Sequence, residues 1–240
     1  MVVDVVIPAL NEQESIGRVV TTLTDPRIRR VIVADNGSAD ATAQVARQAG
    51  AIVVSEPRRG YGSACLRALK EVALNPPDAV LFVDGDFSDD PSEAGLLLDA
   101  LQAGHDLVIG SRVRHAQPGA LTPHARFGNW LATGLVRRIW GARFTDLGPF
   151  RAVRWSALQR LKMNDPDFGW TIEMQVKAAQ VGLRCTEVDV SYRPRIGRSK
   201  VSGTIVGSVR AGEKILRTIA LQALSASGRR APAQRAGAER

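Results

Sequence analysis

The chain has 240 residues, 45% hydrophobic and 23% charged, with 22 Gly and 12 Pro; this excludes collagenous, low-complexity and wholly disordered proteins and leaves enough chain for a packed core. Its longest apolar runs are short, such as Ala79-Val80-Leu81-Phe82-Val83, far below the roughly 18 residues of a transmembrane helix. The net charge of +8 is uneven: residues 1–190 carry 21 Lys and Arg against 22 Asp and Glu, and residues 191–240 carry 11 against 2, so phosphate, anionic lipid or nucleic acid would be met by the C-terminal part.

Met1-Val2-Val3-Asp4 runs into an apolar strand with no basic leader, so a cytoplasmic protein is expected. Short apolar runs at 2–8, 30–35, 51–54, 79–83 and 106–110 predict strands, and amphipathic stretches at 14–24, 40–49, 62–74 and 92–103 predict the helices between them. That alternation predicts an α/β fold with a mostly parallel sheet covered on both faces. Asp40 and Asp90-Pro91 mark helix starts. Beyond a Gly/Pro/His-containing stretch at 113–125, helices are expected at 128–139 and 169–181 and a strand at 184–190. Residues 204–224 read as a helix with Ile205, Val209, Gly212, Leu216, Ile219 and Ala223 on one side and Arg210, Glu213, Lys214 and Arg217 on another. It either packs on the core or lies on an anionic membrane surface. One domain over 1–224 and a disordered basic tail over 225–240 are expected. Cys65 and Cys185 match no metal or redox spacing.

Polar clusters fall where strands end, the edge at which open α/β sheets bind ligands. Pro8-Ala9-Leu10-Asn11-Glu12 follows the first strand, and Asp35-Asn36-Gly37-Ser38 follows the second; singly each is a turn, together they suit a nucleotide base and ribose. Arg58-Arg59-Gly60-Tyr61-Gly62 follows the third strand and not the first, so it is no dinucleotide fingerprint, but its glycines suit contact with a substrate phosphate. The apolar strand 79–83 stops at Asp84-Gly85-Asp86, two carboxylates able to share a hard divalent ion, while Asp89 and Asp90 read as helix caps. Asp146 and Glu173 lie in apolar, aromatic surroundings and are either ion-paired with Arg112, Arg126 or Arg151 or placed as a general base. Arg193, Arg195, Arg198 and Lys200 form an anion clamp or a solvated loop.

In this order, Pro8 to Glu12, Asp35 to Ser38, Asp84-Gly85-Asp86, Gly110-Ser111-Arg112, Asp146 to Arg151 and Arg195 to Lys200 resemble the inverting family-two glycosyltransferases of the dolichyl-phosphate mannose or glucose synthase branch, over roughly residues 2–215. The resemblance implies a GT-A fold, with a nucleotide-sugar-binding half over 1–110 and an acceptor half over 111–224. It implies transfer of a hexosyl group from a donor of the UDP-glucose or GDP-mannose type to a polyprenyl or dolichyl phosphate. By position, Pro8, Ala9, Asn11, Glu12, Asp35, Gly60, Asp84 and Gly85 would hold the donor, and Asp84 and Asp86 would hold Mg²⁺ or Mn²⁺. Arg112, Arg126, Arg198 and Lys200 would face phosphates, and contact with the inner face of the cytoplasmic membrane would run through the basic segment 193–217. A lipid phosphate needs no base; a hydroxyl acceptor needs one, with Asp146 or Glu173 as candidates beside Asp86 and Arg112 in the catalytic set. The match departs at Asn36, where a second acid is common in the family. Sugar-nucleotide pyrophosphorylases fit less well, because no glycine-rich loop with Lys or Arg follows the first strand. A non-enzymatic module for an anionic surface or nucleic acid would leave Asp84 and Asp86 dispensable and bind with steep salt dependence; nucleic acid is not the expected partner.

Overall fold

The structure is a computed structural model and describes residues 1–197 and 205–229, with side chains for 1–197 and 212–224. Strands β1 (Val3–Ala9), β2 (Ile28–Asp35), β3 (Ile52–Ser55), β4 (Ala79–Phe82), β5 (Leu107–Ser111), β6 (Arg151–Arg154) and β7 (Cys185–Asp189) form one sheet in the order β3-β2-β1-β4-β6-β5-β7. The pairings are parallel except those of β6, which runs antiparallel to β4 and β5. The period of two along each strand divides the apolar side chains between two cores. Val5, Ile7, Leu81 and Val83 pack with Ile16, Val19, Leu97 and Leu98, on helices α1 (Ile16–Thr22) and α4 (Ala94–Gln102). Val6, Ile32, Val80 and Phe82 face the opposite way, toward Ala64 and Ala68 of α3 (Tyr61–Val72) and Trp170 and Ile172 of α7 (Trp170–Gln180). Burial on both faces explains why these strands read as continuous apolar runs.

Helix α2 (Thr42–Gln48) starts where Asp40 Oδ1 accepts the Thr42 N–H at 3.0 Å. Asp90 accepts the Ser92 N–H at 3.2 Å ahead of the 3₁₀ turn Pro91–Glu93 that leads into α4. Four features differ from the sequence reading. Strand β6 and helix α6 (Trp155–Leu161) were not expected, because Arg151-Ala152-Val153-Arg154 begins and ends in arginine, although Arg151 is fully buried. Helix α5 (Pro123–Trp140) begins before residue 128, since Thr122 Oγ1 accepts the Ala125 N–H at 3.4 Å and Pro123 suits the first helical position. Helix α8 (Ile205–Arg229) continues past residue 224 into the expected tail, of which 230–240 lie outside the described residues. Among its described side chains Thr218 and Ile219 are buried and Ile215 is partly buried on the core, while Leu216 of the expected apolar face is exposed.

In register, Ala9 lies beside Asp35 and Val6 beside Phe82, so the chain leaves β1, β2 and β4 along one edge of the sheet. That edge carries the polar clusters.

Candidate active site

The loops after β1 and β2 are bound to each other. Asn11, held at φ 51°, accepts the Ala39 N–H on Oδ1 at 2.8 Å, and its own N–H donates to Ser38 Oγ at 2.9 Å. The Glu12 N–H donates to Thr42 Oγ1 at 2.8 Å, and Asp35 Oδ1 accepts the Ser38 N–H at 3.2 Å. Pro8, Ala9, Asn11, Glu12 and Asp35 therefore belong to one cradle at the strand ends. Asn36 ties the loop after β2 to the chain that leads into α3. Its Nδ2 donates to the Glu56 and Arg58 carbonyls at 3.0 and 2.8 Å, and its Oδ1 accepts the Gly60 N–H at 2.9 Å.

Gly60, expected at the donor phosphate, lies against a second stretch of backbone. It has φ 139°, and a Cβ there would fall on the Pro166 carbonyl oxygen; at Gly62 a Cβ would fall on the Asp165 carbonyl oxygen. The Ser63 N–H donates to the same Pro166 oxygen at 2.8 Å. These glycines let the start of α3 meet the 165–166 backbone, which takes the Ser63 N–H.

After β4 the chain presents the acidic pair. Tyr61 Oη donates to Asp84 Oδ1 at 3.0 Å, and Asp86 Oδ1 accepts the Ser88 N–H at 2.9 Å and the Ser88 hydroxyl at 2.5 Å. Burial, then the neighbouring Asp86, raises the Asp84 carboxyl to about 7. A Cβ at Gly85 would come into ordinary contact with Ile16, Ala9 and Glu12, and the Gly85 carbonyl accepts the Ser15 hydroxyl at 2.8 Å, so this loop is anchored to the one after β1. Arg195 Nη2 lies 3.1 Å from Asp86 Oδ2 and 3.0 Å from Glu12 Oε1, so the pair already faces a cation. Among the described residues no three His, Cys, Asp or Glu side chains gather as a metal cluster. Two carboxylates at a strand end nonetheless fit Mg²⁺ or Mn²⁺, which commonly keep water and substrate phosphates as further ligands. Asp90 caps as expected, but Asp89 does not: it is fully buried, neither carboxylate oxygen has a hydrogen-bond partner, and burial, then Asp84, pushes its carboxyl well up.

Behind the acidic pair, Asp146 takes Arg112 in a fork. Arg112 Nε and Nη2 donate to Oδ2 and Oδ1 at 2.8 and 2.7 Å, and the Arg112 N–H adds a third bond at 2.8 Å. Burial opposes both charges, but the partner outweighs it: the Asp146 carboxyl is lowered and the Arg112 guanidinium raised. Glu173 is buried, paired with Lys177 at 2.7 Å, and accepts the Asp165 N–H at 2.9 Å. In this geometry each carboxylate sits in an ion pair: Asp146 follows the ion-pair alternative with Arg112, whereas Glu173 pairs with Lys177 and none of the expected arginines. Arg151 is buried against the Gly148, Leu147 and Thr171 carbonyls, which fixes the 147–150 loop, and burial lowers its guanidinium to about 10.

Arg112 and Arg126 share one cavity of about 1320 Å³ between α5 and α8, lined also by Tyr192, Leu121, Phe144 and Leu216. The Arg112 guanidinium lies 4.9 Å from the centre of the Tyr192 ring. On the α5 side, Phe127 and Trp130 are 60% and 68% exposed, with ring centroids 5.8 Å apart. Arg198 and Lys200 lie outside the described residues. The sequence reading passed over Tyr61 and Tyr192 and left Arg195 in a general basic cluster; only the fold brings them to the acidic pair and to Arg112. The glycines on either side of Tyr61 were the one local sign that its backbone is tightly placed.

A mostly parallel sheet with such a strand-end cradle beside an acidic pair is the architecture of GT-A glycosyltransferases. The chain belongs to the family described as Glycosyl transferase family 2, whose profile matches residues 4–162. It is 42% identical over 209 residues to an uncharacterized glycosyltransferase of Mycobacterium tuberculosis (86% of this chain, 93% of that one). It is 32% identical over 221 residues to a dolichyl-phosphate hexose transferase of Haloferax volcanii (89% and 92%). Among solved structures it is similar to glucosyl-3-phosphoglycerate synthase from Mycobacterium tuberculosis in complex with Mn²⁺, uridine diphosphate and glucosyl-3-phosphoglycerate, with a TM-score of 0.73 and 26% identity, covering 92% of this chain and 80% of that one. The chain is thus a glycosyltransferase.

Proposed function

We propose that this glycosyltransferase moves a hexosyl group, with inversion, from a nucleoside diphosphate sugar to a polyprenyl phosphate. The observation that carries the acceptor is the cavity between α5 and α8: Arg112 and Arg126 supply cations for a phosphate, and largely apolar walls suit a hydrocarbon chain leading toward Phe127 and Trp130. The similarity to a dolichyl-phosphate hexose transferase supports the same reading. Among the described residues no helix is long and apolar enough to cross a membrane, so the lipid would be met at the bilayer surface.

On this reading Pro8, Ala9, Asn11, Glu12 and Asp35 cradle the nucleoside, and Asp84 and Asp86 hold Mg²⁺ or Mn²⁺. The bound ion would neutralise charge on the leaving diphosphate. A phosphate oxygen of the acceptor, already anionic, forms the bond to the anomeric carbon from the face opposite the diphosphate. The bond from that carbon to the donor oxygen breaks, and its electron pair leaves on the nucleoside diphosphate. No proton has to be removed, which agrees with the ion-paired state of Asp146 and Glu173. Arg112, oriented by Asp146, and Arg126 align the acceptor phosphate, so these side chains act by alignment and charge stabilisation.

A second reading has a phosphorylated small molecule as acceptor, favoured by the structural similarity to glucosyl-3-phosphoglycerate synthase. Purified protein with Mn²⁺ and UDP-glucose or GDP-mannose, given either a polyprenyl phosphate in detergent or 3-phosphoglycerate, separates the two. The expected result is nucleoside diphosphate release that depends on the lipid and is lost in Asp86→Asn at unchanged circular dichroism. Turnover with 3-phosphoglycerate alone would move the acceptor to the small-molecule class.

A further inference from the structure

We infer that Arg195 is an internal counter-cation of the acidic pair, its guanidinium and a divalent cation competing for the same oxygen, Asp86 Oδ2. The inference rests on the reading of Asp84 and Asp86 as metal ligands. Asp86 Oδ1 is taken by the Ser88 amide and hydroxyl, so Oδ2 is the oxygen left to face a cation, and Arg195 Nη2 stands 3.1 Å from it. The same nitrogen lies 3.0 Å from Glu12 Oε1, so one guanidinium nitrogen ties the loop after β1 to the loop after β4.

The form of this contact distinguishes it from the other arginine pair in the site. Arg112 engages Asp146 through two guanidinium nitrogens and its own amide, a fork that fixes orientation. Arg195 reaches both its carboxylates through Nη2, and its Nε is buried without a hydrogen-bond partner. A guanidinium bound through one nitrogen, with another donor unsatisfied, is held less firmly than a forked one and gains when an anion arrives to meet Nε. The backbone carrying it is held separately: the Ile196 N–H donates to the Asp86 carbonyl and the Arg193 N–H to the Ser88 carbonyl, both at 2.9 Å, and Arg193 is paired with Asp90. The Arg195 side chain can therefore leave Asp86 while the segment stays beside the acidic loop. A divalent ion arriving alone must displace the guanidinium against its attraction to Glu12 and Asp86. One arriving with a diphosphate brings the displaced guanidinium a new anionic partner. Arg195 thus couples metal binding to nucleotide binding, a positioning role set by charge.

The test is Mn²⁺ affinity, read by electron paramagnetic resonance with and without UDP, for the wild type, Arg195→Gln, Arg195→Lys and Arg193→Gln. Arg195→Gln should bind Mn²⁺ about tenfold more tightly than the wild type without UDP, the scale of one partly buried ion pair, and the gain should shrink when UDP is present. Arg195→Lys keeps a cation beside Asp86 and should stay near the wild type; Arg193→Gln removes the same charge from a residue paired with Asp90 and should change little. An Arg195→Gln affinity no tighter than the wild type, or an equal gain in Arg193→Gln, overturns the inference while leaving the metal reading intact. A wild type that takes up no Mn²⁺ even with UDP overturns the metal reading and this inference with it. Should Arg195→Gln not fold, the wild-type Arg195 Nε–H resonance, assigned by its loss in Arg195→Lys, should move on titration with Mg²⁺ and UDP; an unmoved resonance overturns the inference.

Discussion

Arg112 and Asp146 show how a charge pair at the edge of a cavity orients a side chain as well as contributing stability. Their guanidinium and carboxylate are 13% and 1% exposed, so removing one partner leaves the other largely desolvated. Asp146→Asn should cost about 3 kcal/mol of unfolding free energy near neutral pH, read by urea denaturation. The pH dependence follows from the lowered carboxyl. Above the ordinary value of 3.8 the folded and unfolded states are both ionised and the contribution is complete; as pH falls below 3.8 the unfolded chain takes up the proton first and the contribution disappears. The stability gap between wild type and variant should therefore be flat above pH 4 and close below it. A gap that widens on acidification would contradict the pairing.

At the level of elements, close backbone approach sets the start of α3. Gly62 leaves no room for a methyl group beside the Asp165 carbonyl, and backbone atoms there cannot swing aside as a flexible side chain would. Gly62→Ala should destabilise the fold by about 1–3 kcal/mol in thermal or chemical unfolding, an overpacking cost. A neutral substitution would place the phosphate-contact reading of these glycines back in consideration. Strand β6 works similarly as a positioning device: Arg151 at its start collects the carbonyls of the 147–150 loop and so sets where Asp146 stands relative to Arg112. Burying a guanidinium on carbonyls alone is costly, which fits its lowering to about 10.

Across the whole molecule, the cavity and the exposed Phe127 and Trp130 lie on the acceptor half of the proposed reaction. On that reading, the double substitution Phe127→Ala and Trp130→Ala should weaken binding to phosphatidylglycerol vesicles at least tenfold, since burying each aromatic contributes roughly 1.5–3 kcal/mol. The KM for a polyprenyl phosphate should rise while that for the nucleotide sugar stays unchanged. Unaltered vesicle binding and an unaltered lipid KM would detach these side chains from the acceptor.

The order of strands and helices through residue 110, the two-faced burial of the sheet and the gathering of polar clusters at strand ends were legible in the sequence, because period-two and helical periodicities and cap residues are local signals. So was the place of Asp84 and Asp86 at a strand end, since an apolar strand stops just before them. The partners of those residues were not. That Asp146 belongs to Arg112, that Tyr61 holds Asp84 and that Arg195 lies across Asp86 and Glu12 depends on contacts between segments up to 183 residues apart, whereas Glu173 and Lys177 pair locally, one turn apart on α7. Strand β6 was hidden for the same reason: its four residues form a strand because β4 and β5 offer their edges to it, and no local pattern encodes that pairing. Local chemistry fixed which side chains reach the edge of the sheet; long-range packing alone decided which of them are bound to one another and which face the cavity.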